Sequence, residues 1–280
     1  MSLTRRTLLI ASAASLAVPA WAQAGFAHSH AAWTALLKKH VVLERGGRTS
    51  SVRYAAFAGD RAALQAYLQT LSTVPRATFD GWSRAQRMAF LVNAYNAFTV
   101  ELILTRYPKL ESIKDLGALF STPWKPKWIA LLGTQVSLDD IEHGMLRAKS
   151  DVLSAGQRYD EPRVHFAVNC ASIGCPALRE EAFVAASLEA QLEEQTRRFM
   201  ADRTRNQYNA QRQRLEVSKI FDWFGEDFRA GYQGIDSLNA FFARYAEQLT
   251  DTPAEREVVR SEKIDIGFLA YDWKLNDARG

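Results

Sequence analysis

Ser83-Arg84-Ala85-Gln86-Arg87-Met88-Ala89-Phe90-Leu91-Val92-Asn93-Ala94-Tyr95-Asn96-Ala97-Phe98-Thr99-Val100-Glu101-Leu102-Ile103-Leu104 is the stretch whose reading decides the fold. Ser83 is suited to cap a helix, and Pro108 stops it after about Tyr107. Phe90, Ala94, Ala97, Val100 and Leu104 form one apolar row, and Leu91, Tyr95, Phe98 and Leu102 form another. Together they cover most of the circumference. A helix apolar nearly all round sits at the centre of a fold rather than on its surface. Asn93 and Asn96 are then buried and must find hydrogen-bond partners.

Shorter elements flank this helix. His30 to Lys39 reads as a helix and Ser51 to Phe57 as a strand, with Val52, Tyr54 and Ala56 on one face. Asp60 is placed to cap a helix running to Leu71. Trp128 to Val136 reads as a hairpin turning at Gly133-Thr134. Ser137 is placed to cap a helix that carries Asp139 and Asp140 in its first turn and ends near Arg147. Arg163 to Asn169 reads as a buried strand. Leu188 to Asp202 is an amphipathic helix, and Gln207–Asn209 with Arg214–Val217 a hairpin. Helices follow at Ile220–Phe228, Ser237–Leu249 and Pro253–Val259, and Lys263–Leu269 is a last strand. Strands scattered among helices without regular alternation predict an α+β fold, a mostly antiparallel sheet packed on a long buried central helix.

The first 24 residues read as an export signal. Arg5-Arg6 is a twin-arginine n-region, Leu8 to Ala20 is apolar, and Ala22-Gln23-Ala24 is a small-x-small cleavage site. The apolar run is too short and too rich in Ala and Ser for a comfortable membrane span. The expectation is a periplasmic product with no stable span after cleavage, divided into residues 25–60, an N-terminal helix and strand, and a main domain over 61–276. Loss of Arg5 and Arg6 lowers the formal charge from the +4 of the whole chain by two. So small an excess argues against a nucleic-acid partner. Arg203, Arg205, Arg212 and Arg214 read as a solvated face.

Chemistry concentrates in Val164-His165-Phe166-Ala167-Val168-Asn169-Cys170-Ala171-Ser172-Ile173-Gly174-Cys175-Pro176, which holds both cysteines and one of five histidines. Two cysteines in an exported chain suit an oxidising compartment and one bridge. Four readings stand side by side: a catalytic thiol, a Cys170–Cys175 disulfide, a metal site with His165 and His143, or buried thiols. A thiol nucleophile needs a cationic or imidazole neighbour. His165 is the nearest in sequence, but on an extended strand it lies roughly 16 Å from Cys170 and on the opposite face. Asn169 then either orients the imidazole or closes a turn with its own backbone. Asp139 and His143, four apart on a helix, are a second candidate pair, with His143 as base and Asp139 as orienter. Trp223 and Trp273 are expected in the core, Asp272 beside Arg147 or as a third catalytic member, and the His28-x-His30 terminus as disordered.

Five blocks resemble the domain-of-unknown-function 547 family. They are Ala89–Ala97, Ser137–Gly144, Arg163–Pro176, Ser218–Phe221 with Trp223 and Asp227, and Tyr271–Asn276. Leu91, Ala171 and Ala177 depart from the family's usual Trp, Gly and Pro. The resemblance implies a layout loosely like papain and transglutaminase folds, and no assigned activity. The activity expected is thiol-dependent acyl transfer or amide hydrolysis on an unidentified small-molecule or peptide substrate. Its catalytic set is Cys170, Cys175, His165, Asn169, His143 and Asp139, with no cofactor and no metal. The rival is a non-catalytic periplasmic binding or assembly domain fixed by a Cys170–Cys175 bridge.

Overall fold

The computed structural model describes residues 25–117, 122–154 and 157–278; the expected signal segment lies outside the described residues. The central helix runs Arg84–Leu104. Ser83 Oγ accepts from the Gln86 amide and Gln86 Oε1 accepts from the Ser83 amide, closing two of the free N–H groups at the helix start. Every residue from Met88 to Glu101 is buried. Burial of each large side chain among them removes roughly 1.5–3 kcal/mol worth of apolar surface from water.

Both asparagines of this helix read backbone. Asn93 Nδ2 donates to Phe183 O at 2.7 Å and its Oδ1 accepts from Phe183 N at 3.0 Å. Asn96 Nδ2 donates to Ala167 O at 2.9 Å and its Oδ1 accepts from Asn169 N at 2.8 Å. Each amide therefore acts as a two-pronged strand partner for a loop that has no ladder of its own.

That bracket explains one correction. Arg163–Asn169 is not a strand: Val164–Ala167 is a single helical turn, and the chain becomes extended only at Val168. A short apolar run has no period that separates a buried strand from a buried helical turn. The segment expected as a strand over Ser51–Phe57 is likewise divided. The strand is Thr49–Val52 and a helix, Tyr54–Gly59, follows. Tyr54 and Phe57, three apart, are both wholly buried, which a strand register would not allow.

The fold is α+β, with its strands in three small sheets. Val41–Glu44 pairs antiparallel with Thr49–Val52, and Ile129–Leu131 with Thr134–Val136. The second hairpin turns through Leu132 and Gly133, both in the left-handed region as a two-residue turn requires. Arg214–Val217 lies between an antiparallel neighbour, Gln207–Asn209, and a parallel one, Asp265–Phe268. The helix expected over Ile220–Phe228 breaks into Ile220–Trp223 and Gly225–Phe228. That over Ser237–Leu249 breaks at Tyr245. One apolar cluster surrounds the central helix; a second gathers Phe199, Phe221, Phe228, Phe241 and Phe242. The turn at 164–167 joins them: Val164 and Ala167 pack in the first, Phe166 in the second.

The histidines near the start are packed, not disordered. His30 is 2 % exposed, and its Nδ1 is 2.7 Å from Tyr67 Oη. His40 Nε2 lies 2.6 Å from Asp60 Oδ2, so the Asp60 carboxylate serves His40 and Lys39 instead of capping the Arg61–Ser72 helix.

Two outcomes are expected. Burial, with a smaller effect of His28, lowers the His30 pKa to about 4. The unfolded chain takes up that proton near pH 6.5, so the stability is intact above 6.5 and falls by about 3 kcal/mol as pH drops to about 4. Urea titrations across this range will show the slope, and His30→Gln will flatten it. Asn96→Ala strands Ala167 O and Asn169 N and lowers unfolding free energy by about 2–4 kcal/mol, read from the urea midpoint.

Candidate functional site

A cavity of about 640 Å³ opens between the central helix, the 164–176 segment and residues 271–273. His165, His143, Asp139, Glu142, Cys170 and Cys175 all line it, together with aromatic walls that include Trp124, Trp223, Phe224 and Trp273. Five of the six residues expected as catalytic thus reach one space. Asn169 does not: its Nδ2 donates to Pro176 O at 2.7 Å and its Oδ1 accepts from Ala171 N at 2.9 Å. Its side chain folds the loop on itself.

His165 is held at one nitrogen only. Nε2 lies 2.8 Å from Asp227 Oδ2, while the buried Nδ1 has no partner. The ring stacks on Phe224 at 4.1 Å. Burial lowers the His165 pKa against the opposing bond to Asp227, leaving the imidazole neutral at pH 7. Burial pushes the Asp227 carboxyl up, yet the bonds from His165 and Arg147 hold it well below the usual carboxylate range. An ionised Asp227 accepts from Nε2–H, which fixes the tautomer with the Nδ1 lone pair free.

Arg147 ties the second histidine to the same carboxylate. Its Nε and Nη2 donate to the two Asp227 oxygens at 2.5 and 3.2 Å, and its Nη1 is 3.0 Å from His143 Nδ1. His143 Nδ1 therefore accepts from a permanent cation. Its Nε2 is 3.9 Å from Asp139 Oδ1, too far for a hydrogen bond. The spacing explains this: Asp140–Leu146 is wound as a π-helix, so residues four apart no longer eclipse. Burial, first, raises the Asp139 pKa, and the nearby imidazole opposes it.

The cysteines are joined: Cys170 and Cys175 form a disulfide. The sulfurs' polar contacts are the Cys170 amide, 2.9 Å from Cys175 Sγ, and the hydroxyls of Tyr271 and Ser172. Disulfide and imidazole line the same cavity. A bridge across so few residues adds only about 2 kcal/mol by closure entropy. Among the described residues no group of three or more His, Cys, Asp or Glu gathers as a metal site.

Three expectations near the cavity are corrected. Trp223 is 43 % exposed and Trp273 half-buried; both frame the mouth instead of filling the core. Asp272 is exposed and accepts from the Lys274 amide, and the partner of Arg147 is Asp227. The sequence names Arg147 and Tyr271 without these roles, since Asp227 lies 80 residues from Arg147 and Cys175 lies 96 residues from Tyr271.

The fold and cavity define an α+β domain whose site combines imidazole, carboxylate, sulfur and aromatic rings. Residues 79–200 match a family model described as "Protein of unknown function, DUF547", which supports the resemblance read from the sequence. The match includes the first three resembling blocks and stops short of Asp227 and Tyr271. No curated protein and no solved structure matches the chain.

Gly174 is required by close approach. A Cβ there would lie 2.8 Å from the Tyr271 ring. Gly174→Ala displaces that ring and costs about 1–3 kcal/mol, seen as a lower urea midpoint and a changed near-ultraviolet dichroism.

Proposed function

We propose that the protein is an exported, periplasmic enzyme that hydrolyses, or transfers an acyl group from, an amide or ester of a small molecule or peptide seated in this cavity. The observation that carries the reading is the half-partnered His165, a residue that lines the cavity with one nitrogen fixed by an ionised carboxylate and the other buried and unpaired. In this reading His165 Nδ1 removes a proton from water as its oxygen attacks the acyl carbon. The same nitrogen returns the proton to the leaving nitrogen or oxygen. Asp227 stabilises the imidazolium formed between, and Arg147 keeps Asp227 ionised and in place. With the bridge closed the nucleophile is water; the thiol-dependent form of the reaction requires Cys170 or Cys175 reduced.

A second reading is favoured by the bridge itself. With the sulfurs joined and Asn169 committed to its own loop, the domain is a binding or assembly module whose cavity only holds a ligand.

Hydrolysis of p-nitrophenyl acetate by the oxidised mature protein separates the two. Saturable turnover that falls roughly 10²–10⁴-fold in His165→Gln supports the enzyme. The rate declines on the acid side with a midpoint below pH 6.5, because burial lowers the pKa of this base. Wild-type protein no faster than free imidazole sinks the enzyme reading and leaves the binding module. Turnover that appears only after reduction, and vanishes on alkylation, assigns the thiol form. N-terminal sequencing of periplasmic material, expected to begin at Gly25, tests export.

A further inference from the structure

We propose that the Cys170–Cys175 bridge is a thiol–disulfide exchange centre, in which the thiolate of a small thiol compound or cysteinyl peptide entering the cavity attacks Cys170 Sγ and expels Cys175 Sγ. This function is independent of hydrolysis by water activated at His165 and uses different atoms in the same space.

The two sulfurs are unequal in access and in support. Cys170 is half-buried and Cys175 is 6 % exposed, so a ligand in the cavity meets Cys170 first. Cys175 Sγ, in contrast, accepts the Cys170 backbone N–H at 2.9 Å and the Tyr271 hydroxyl at 3.2 Å. Tyr271 Oη also lies 3.2 Å from Cys170 Sγ, and Ser172 Oγ, 3.3 Å from that sulfur, gives its proton to Tyr271, so the fixed backbone amide is the donor that distinguishes Cys175. Ser172 Oγ donates to Tyr271 Oη at 2.9 Å, which leaves the tyrosine proton for sulfur. Burial keeps that proton on Tyr271 at neutral pH. Donors aimed at a sulfur stabilise the thiolate it becomes, and the better-stabilised thiolate is the faster leaving group. Asn169, folded onto Ala171 N and Pro176 O, holds the loop while the bond breaks. Trp223 and Trp273, in contact with Tyr271 at 5.0 and 4.5 Å between ring centres, offer an apolar seat for the body of the thiol.

The electrons balance without a metal or a further oxidant. The incoming thiolate forms an S–S bond to Cys170 as the Cys170–Cys175 bond breaks, and both electrons of that bond leave on Cys175. A second thiolate attacks the ligand sulfur of the mixed disulfide and releases Cys170. Two thiols become one disulfide; the bridge takes up two electrons and two protons and becomes two thiols.

The test uses oxidised full-length mature protein, glutathione as the probe, and a quench with N-ethylmaleimide before peptide mapping. The expected intermediate carries glutathione on Cys170 and N-ethylmaleimide on Cys175. Tyr271→Phe slows its formation about tenfold. Cys175→Ser, oxidised with glutathione disulfide, retains an unresolved adduct at Cys170. Glutathione on Cys175, an even division between the two, or a bridge that survives hours of excess glutathione in the folded protein overturns the proposal. Should Tyr271→Phe fail to fold, the wild-type map alone decides.

Discussion

The bond on which the rest of this structure depends is the Asn96 side-chain amide to the backbone of Ala167 and Asn169. It ties the most buried helix to the segment that carries the chemistry. Neither Ala167 O nor Asn169 N has a ladder partner, and both are buried. Without Asn96 the chain there would have to find other donors or open to water, at a cost of a few kcal/mol. Asn93 repeats the device one turn earlier on Phe183. The loop pinned at Ala167–Asn169 is then closed by Asn169 on Pro176, by the disulfide, and by Arg205, which donates to the Cys175 carbonyl. A rigid loop results from polar side chains inside an apolar environment, where each hydrogen bond has no competing water.

The charges around the cavity follow the same logic. Asp227, Arg147, His165 and His143 form one chain of contacts in which a single carboxylate serves a guanidinium and an imidazole. Taking Asp227 from water is unfavourable, and two donors on its two oxygens offset that cost. The guanidinium lies over the Phe224 ring at 4.7 Å, and the same ring stacks on His165. Phe224 thereby sets the spacing of cation and base. His143, by accepting from Arg147, is a weaker candidate for a base than His165, whose free nitrogen has no donor against it.

Much of the fold was legible from apolar period alone. The central helix, its Ser83 start, the demand of Asn93 and Asn96 for partners, and the 129–136 hairpin all follow from local pattern. The failures share a physical cause. Arg163–Asn169 and Ser51–Phe57 are short apolar runs, and the side chain that pairs with the end of the 164–167 turn lies some seventy positions away in the chain. The π-winding of 140–146 is invisible in an i, i+4 pattern, so Asp139 and His143 read as a pair and are not one. Among site residues, the cysteine loop and both histidines stood out by residue type. Asp227 stood out only as a member of one resembling block, because its importance is a distance to residues far back in the chain.

Placement of the cavity follows from the two apolar clusters. The 164–167 turn faces both: Val164 and Ala167 enter one core and Phe166 the other. A helical turn whose apolar residues are divided between two cores presents its remaining side chain to the seam between them. His165 is that side chain, and the seam is where packing cannot be continuous. The sulfur bridge, one short extended step further along, opens onto the same seam. Imidazole and disulfide therefore share a wall because the chain passes between two cores at that point, and neither group needs the other to explain its position. For that reason the acid–base chemistry proposed for His165 and the exchange proposed for Cys170 are separable proposals about one cavity, each resting on its own set of contacts.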